Sequence, residues 1–355
     1  MAENNQDAAP KLELKSEIKL PAAVLAADFD GPRAYAACFD GVYSVDLGTG
    51  RHRLLARHDS YASGACLLRQ TGLLVSSGYD GTLRWHDPAA LTTARVVQAH
   101  RFWSWQLQAS RDERLIASVT GQYLPGGYEY QPAAETEPSV KVFDALTGEL
   151  LHGFAHRPPV LSVAFSPDGR HLAAGNMMGE IRVWNLASGE QVSEWTTPDF
   201  TSWGIIKSHH YIGGIFALEF TPEGGELLAC GMGPMRDPMA GNGKQTWQRF
   251  TWRDGKKTAQ IAEDDHGNGL MESLAFHPAG DRFVMAGRLA QGKWNTALFD
   301  GGGKLVHSLD TKMRVTDTIF SADGGELLLA GAVGQERKKN GQCPPFGRLK
   351  LYRFA

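Results

Sequence analysis

The stretch WGIIKSHHYIGGIF, residues 203–216, holds two adjacent histidines, His209 and His210. Two imidazoles could ligate a metal or exchange protons. A zinc site needs a third and usually a fourth ligand, and no Cys or His stands beside them at ligand spacing; only Asp199 or residues from other loops could complete a set. Neighbouring residues on an extended segment also point to opposite sides. The four cysteines, Cys38, Cys66, Cys230 and Cys343, form no CxxC pair. Three of them lie in apolar runs such as AYAACF and ELLACG, as buried reduced thiols do, so the expected compartment is the cytoplasm. There is no GxSxG elbow, no HExxH and no phosphate-binding glycine loop; GGGK at 301–304 has the look of a hairpin turn. These residues predict a protein that is not an enzyme and that holds no metal and no cofactor.

The elements around them have to be rigid and numerous. The 355 residues are 42% hydrophobic and 21% charged, enough for a large core without disulfide or metal staples. A net charge of -3 with mixed signs excludes the broad basic face that nucleic acid requires. Residues 1–20 lack a basic start followed by an apolar core, and no later run is apolar enough to span a bilayer, so no membrane insertion is expected. Glycine is abundant, at 41 residues, which implies many tight turns.

The turns recur. FDGPR at Phe29, LRQTG at Leu68, SRDER at Ser110, FSPDGR at Phe165, FTPEGG at Phe220, FHPAGD at Phe276 and FSADGG at Phe320 each separate two short apolar runs. Proline sets φ at the second turn position, and Gly or Asp suits the exit, so each marks a hairpin. The segment 159–195, PVLSVAFSPDGRHLAAGNMMGEIRVWNLASGEQVSEW, reads as four strands in a meander, with small Ala, Ser and Gly on the second face as in a sheet covered on both sides. A four-stranded unit repeating at roughly 40 to 55 residues is the pattern of a β-propeller.

At this point the chain resembles the WD40-repeat family. The resemblance rests on the FSPDG turn and on strand endings that stand where the family has Trp-Asp: Trp184 in RVWNL, Phe143-Asp144 in KVFDA, His86-Asp87 in RWHDP and Phe299-Asp300 in ALFDG. It implies an all-β, seven-bladed β-propeller of four-stranded antiparallel blades over residues 11–355. Residues 11–20, with Leu12, Leu14, Ile18 and Leu20 alternating on one face, are expected to supply the outer strand of blade 7 and close the ring. Residues 1–10 read as a disordered tail. The resemblance also implies a structural histidine before the first strand of a blade, bonded to a Ser or Thr and orienting an Asp. His58 with Asp80 fits that role in blade 2, where His86 replaces the Trp; His156 with Trp184 fits in blade 4, where Met178 stands in place of the Asp. The turns DALTGELL and NLASGEQV are similar to those of quinone-cofactor propellers too, but no cofactor-ligand set accompanies them.

If each blade is a meander of strands A to D, the A–B and C–D turns share one face and are all tight. The long insertions fall on the other: residues 121–138, 197–214, 231–244 and 334–347. Loops on a rigid scaffold carry function, and ordering them costs entropy. They hold Tyr123, Tyr128, Tyr130, Trp203, Lys207, His209, His210, Tyr211, Met235, Arg236 and Phe346, the aromatic, Met and Arg types enriched in protein interfaces; Trp103 lies near the channel mouth. The same rings could instead pack on one another to pin the loops. Trp105 keeps the parity of Leu161 and reads as core. The sequence thus predicts a scaffold that binds a protein partner on the loop-bearing face, with a propeller enzyme or metal-binding protein as the alternative.

Overall fold

The computed structural model describes residues 11–121, 135–200, 214–233, 243–335 and 343–354. They form an almost purely β protein, with one short 3-10 turn at Pro198–Phe200. The strands make five four-stranded antiparallel sheets and one of eight. Val24–Asp30, Arg33–Cys38, Gly41–Asp46 and His52–Ala56 form one meander, followed by Ala62–Leu68, Leu73–Gly78, Thr82–Asp87 and Thr92–Gln98. Ser104–Ala109, Leu115–Thr120, Val140–Asp144 and Leu150–Phe154 form the next, then Val160–Phe165, His171–Asn176, Glu180–Asn185 and Gln191–Thr196. The eight-stranded sheet is two meanders, starting at Ile215–Phe220 and at Asn268–Phe276, joined where Gly243 and Lys244 pair with Gly269 and Asn268. In the last sheet Arg314–Phe320, Glu326–Ala332 and Gly347–Phe354 are completed by the N-terminal strand Leu12–Leu20, which pairs antiparallel with Gly347–Phe354.

The first strands of successive meanders pack side by side around an axis, and Arg314–Phe320 returns to Val24–Asp30. Such closure removes the open edges that a stack of sheets would otherwise expose. The core lies between sheets rather than at one centre. Trp85, Leu83 and Val75 pack against Ile116 and Phe143 of the following sheet, and the Trp85 indole N–H donates to the Ala145 carbonyl at 2.6 Å. Fully buried Ala34, Ala36, Ala173, Ala174 and Ala229 on the second strands let neighbouring sheets approach on both faces. Side chains also stitch one first strand to the next. Asp317 accepts the Ala27 N–H at 2.9 Å, Asp28 the Leu67 N–H at 2.8 Å, and Gln106 and Gln108 those of Val163 and Phe165 at 2.8 and 3.0 Å.

Two expectations need correction. Leu12, Leu14, Ile18 and Leu20 do not share one buried face, because a bulge between Leu14 and Ser16 shifts the register. Leu12 packs with Val284 and Leu298, Ile18 and Leu20 pack with Phe29 and Leu349, and Leu14 is 51% exposed. Trp105 is only half-buried: it follows a bulge at Ser104, touches the core on one side and stacks on Tyr79 at 5.8 Å on the other. No helix among the described residues is long and apolar enough to cross a membrane.

Candidate functional site

The histidine network of the second meander is the chemistry-bearing cluster with the tightest geometry. Asp80 sits in the turn after Leu73–Gly78, and His58 in the connection before Ala62–Leu68. His58 Nδ1 lies 3.1 Å from Asp80, and its Nε2 lies 2.8 Å from Ser76 Oγ. A carboxylate can only accept, so Nδ1 carries the proton. Burial works against the ionised form of Asp80, but the His58 bond and the N–H groups of Thr82 and Asp59 outweigh it and hold the carboxyl far below its ordinary range. Ser76 Oγ is bonded a second time, to His86 Nε2 at 2.8 Å, and His86 Nδ1 meets Thr93 Oγ1 at 3.1 Å. Burial, helped by the nearby charges of His58 and Arg84, pushes the His86 pKa down to about 4.

Asp80, His58 and Ser76 have the mutual geometry of an orienting acid, a base and a nucleophile, yet Ser76 is fully buried, and its hydroxyl donates to His58 Nε2 while accepting from His86 Nε2. A substrate carbonyl cannot reach it, so the arrangement holds a blade together and has no access for acyl transfer. The neighbouring blades vary the theme. His100 Nε2 meets Ser118 Oγ at 2.9 Å, whereas His156 Nε2 lies 3.2 Å from the Ala174 carbonyl, because Ala174 occupies the serine position. In that blade Asn176 takes over the turn: its Oδ1 accepts the N–H groups of Met178 and Glu180, both at 2.9 Å. Trp184 is buried beside His156, with ring centroids 6.0 Å apart.

Four carboxyls sit on the first strands. Burial raises Asp28 against the pull of Arg69, and it pushes Glu219, beside the charge of Asp317, up to about 8. Asp317 is pushed up to about 7 by burial despite the N–H groups of Ala27 and Thr318. Burial also raises Glu272, opposed by Arg314 at 2.6 Å. These groups are tied to backbone, amide or guanidinium partners, and among the described residues no group of three or more His, Cys, Asp or Glu is placed to hold a metal.

The feature that faces solvent is a row of rings. Phe39 follows the second strand of the first meander, Tyr79 that of the second, and Phe346 precedes Gly347–Phe354; Tyr61, Phe102 and Trp103 lie in connections between meanders. All six therefore belong to the face that the sequence reading marks as loop-bearing. Phe39 stacks on Tyr61 at 4.2 Å and meets Phe346 edge-on at 6.4 Å. Tyr61 lies 5.7 Å from Tyr79, Tyr79 stacks on Trp103 at 4.9 Å, and Trp103 stacks on Phe102 at 4.8 Å. Tyr61 and Trp103 are 44% and 39% exposed, a wide opening for rings of this size. Burial pushes the Tyr79 hydroxyl up to about 12, with Arg314 pulling against it.

Of the sequence-predicted contact residues, Trp103 and Phe346 are brought into this row, Phe346 with its ring almost wholly buried. Tyr123, Tyr128, Tyr130, Trp203, Lys207, His209, His210, Tyr211, Met235 and Arg236 lie outside the described residues. Phe39, Tyr61, Tyr79 and Phe102 were not singled out by the sequence reading. A signal existed for two of them: CFDG and GYDG each place an aromatic directly before the Asp-Gly of the turn between the second and third strands.

The family profile described as "WD domain, G-beta repeat" matches residues 148–185. That span runs from the outer strand of one meander through the third strand of the next. The chain is similar to the target of rapamycin complex subunit wat1 of Schizosaccharomyces pombe, at 27% identity over 161 residues, 44% of this chain and 42% of that protein. It is similar to cell division cycle 20.1, cofactor of APC complex, of Arabidopsis thaliana, at 24% identity over 229 residues, 55% of this chain and 48% of that one. Striatin of Homo sapiens matches at 38% identity over 64 residues, 18% of this chain and 8% of that one. The chain thus spans less than half the length of these relatives.

Proposed function

The chain is a WD40-repeat protein of β-propeller architecture, and from that premise we propose that it is a non-catalytic platform that binds a protein partner through the face bearing the aromatic row. We read it as seven blades, with the ring closed by Leu12–Leu20. The observation that carries the reading is the row itself. Aromatic side chains left half-exposed in stacked register on a rigid scaffold have the character of interface anchors. Among the described residues the opposite face offers tight turns such as Ser166–Arg170, held by their own Asp and Ser side chains. The relatives named as complex subunits or cofactors agree with a role in assembly. We propose that this binding takes place in the cytoplasm, a reading supported by cysteines that lie in apolar runs and form no CxxC pair.

Affinity purification from the native cells, followed by mass spectrometry, tests this. A protein retained near one-to-one by wild type and lost by the Tyr61→Ala/Trp103→Ala variant supports the platform. Retention of the same protein by both sinks it.

A further inference from the structure

We propose that the outer strand Leu150–Phe154 pairs edge to edge with the same strand of a second copy of this chain, so that the protein forms a weak antiparallel dimer through its rim. The site is separate from the face that bears the aromatic row.

Leu150–Phe154 is the last strand of its sheet, and no described residue outside that sheet bonds its backbone. The other outer strands have edges too, and charge is a common guard against pairing there. His52–Ala56 carries Arg53, Thr92–Gln98 carries Arg95, Gln191–Thr196 carries Glu194, Lys256–Gln260 carries Lys256 and Lys257, and Leu12–Leu20 carries Glu13 and Lys15. Leu150–Phe154, with the sequence LLHGF, has no Asp, Glu, Lys or Arg. Nor does Leu305–Leu309, but its leucines are half-buried and pack into the core between sheets. Leu150 and Leu151 are instead 51% and 42% exposed, Leu146 in the preceding turn is 60% exposed, and none of the three packs into the core. The bulge at Leu151 recurs on the neighbouring outer strands and does not set this edge apart.

An open edge can take any extended strand, so charge and area choose the occupant. Two identical strands paired antiparallel are self-complementary, since each N–H meets a carbonyl about a two-fold axis. No fixed charge on Leu150–Phe154 opposes its own copy, whereas Arg95, at the middle of Thr92–Gln98, would meet itself across such an axis. The antiparallel direction also carries Glu149, just before the strand, toward Arg157 of the second copy, just after it, whose side chain is 54% exposed. Opposite charges then meet at both ends, where a parallel pairing would set like beside like. The three leucines cover about 300 Å² on each copy, and with the strand backbones the contact reaches about 1,000 Å² in all, the lower end of specific interfaces. A dimer of that size is weak and depends on concentration.

The test follows the mass of the full chain by sedimentation velocity from about 1 to about 500 µM. It should rise from 38.7 kDa toward twice that value, with a midpoint of about 10 to 100 µM, as small interfaces give. Leu150→Lys and Leu151→Lys, at exposed positions, should each keep the melting temperature within about 2 °C and weaken the dimer at least about tenfold. Val192→Lys on the next outer strand and Tyr61→Ala/Trp103→Ala on the row should both leave it unchanged. Hydrogen exchange across 150–154 should slow as the concentration passes the midpoint. A mass that stays at 38.7 kDa up to about 500 µM overturns the proposal. So does a dimer that survives both lysine variants, one that is lost with the row variant, or one that forms without slower exchange at 150–154. Slowing at 150–154 only when a captured protein partner is added assigns the edge to a foreign strand, and it too overturns self-pairing.

Discussion

Replacing Gly78 by alanine should dismantle the network of the second meander from outside it. A Cβ built on Gly78 falls 2.3 Å from His58 Nδ1, 2.6 Å from its Cγ and 2.8 Å from Asp80 Oδ1, distances that no side chain tolerates. The imidazole has no free space to retreat into, since its side chain is wholly buried, so it must leave its partners. Ser76 then loses one of two bonds and Asp80 loses its histidine donor, inside a region where each unmade bond costs about 1 to 3 kcal/mol. With partial relaxation the sum is about 3 kcal/mol, and for a domain of this length a fall in Tm of about 4 °C. Equilibrium urea unfolding and thermal melts of Gly78→Ala, His58→Ala and the double variant measure it. In the His58→Ala background the new methyl group has room, so Gly78→Ala should add less than about 1 kcal/mol there, a coupling expected only of side chains in contact. Additive costs in the double variant, or a single-variant cost under about 1 kcal/mol, would refute the steric account.

Three further perturbations probe other parts of the account. Glu219→Gln removes a carboxyl whose pKa is about 8 in the folded protein, above its ordinary 4.5, so wild type loses stability as pH rises through that window and the variant does not; the stability gap between them should grow by about 2 to 5 kcal/mol from pH 5 to pH 9 in urea melts, and a constant gap contradicts the burial argument. His156 has its pKa pushed down to about 3 by burial, below its ordinary 6.5, so its contribution is intact above pH 6.5 and is lost as pH falls toward 3; His156→Phe should flatten the acid side of the stability profile, and an unchanged acid limb tells against it. Deleting residues 1–20 uncovers the edge of Gly347–Phe354 and strips Leu12, Ile18 and Leu20 from the core, at about 2 kcal/mol each or about 6 in all; a truncated protein melting within about 2 °C of wild type would show that this strand is dispensable.

The general architecture was legible because its signals are local. A turn such as FSPDGR announces two strands wherever it occurs, and small residues like Ala173 and Ala174 announce a sheet covered on both faces. What was not legible depends on neighbours distant along the chain. Phe39, Tyr61, Tyr79 and Trp103 are spaced by about twenty residues and meet only because the meanders stack around an axis; Phe346 joins them only through closure of the ring. Bulges were the other blind spot. One extra residue near Leu14 sends Leu12 and Ile18 to opposite faces of the sheet, and another at Ser104 turns Trp105 toward Tyr79, neither of which alternation can anticipate. Glu219 and Asp317 carry no local sequence signal; only the convergence of first strands gives them their raised pKa values.

The central claim is that a protein partner docks on the aromatic row, and it is tested most directly by measuring partner affinity for three proteins side by side. These are wild type, Tyr61→Ala/Trp103→Ala on the row, and Arg170→Ala on the opposite face, where the side chain is 78% exposed. The captured partner should bind wild type and Arg170→Ala alike and bind the row variant at least about tenfold more weakly, the loss of one hot-spot anchor or more. Equal affinity for all three, or a loss confined to Arg170→Ala, would contradict it.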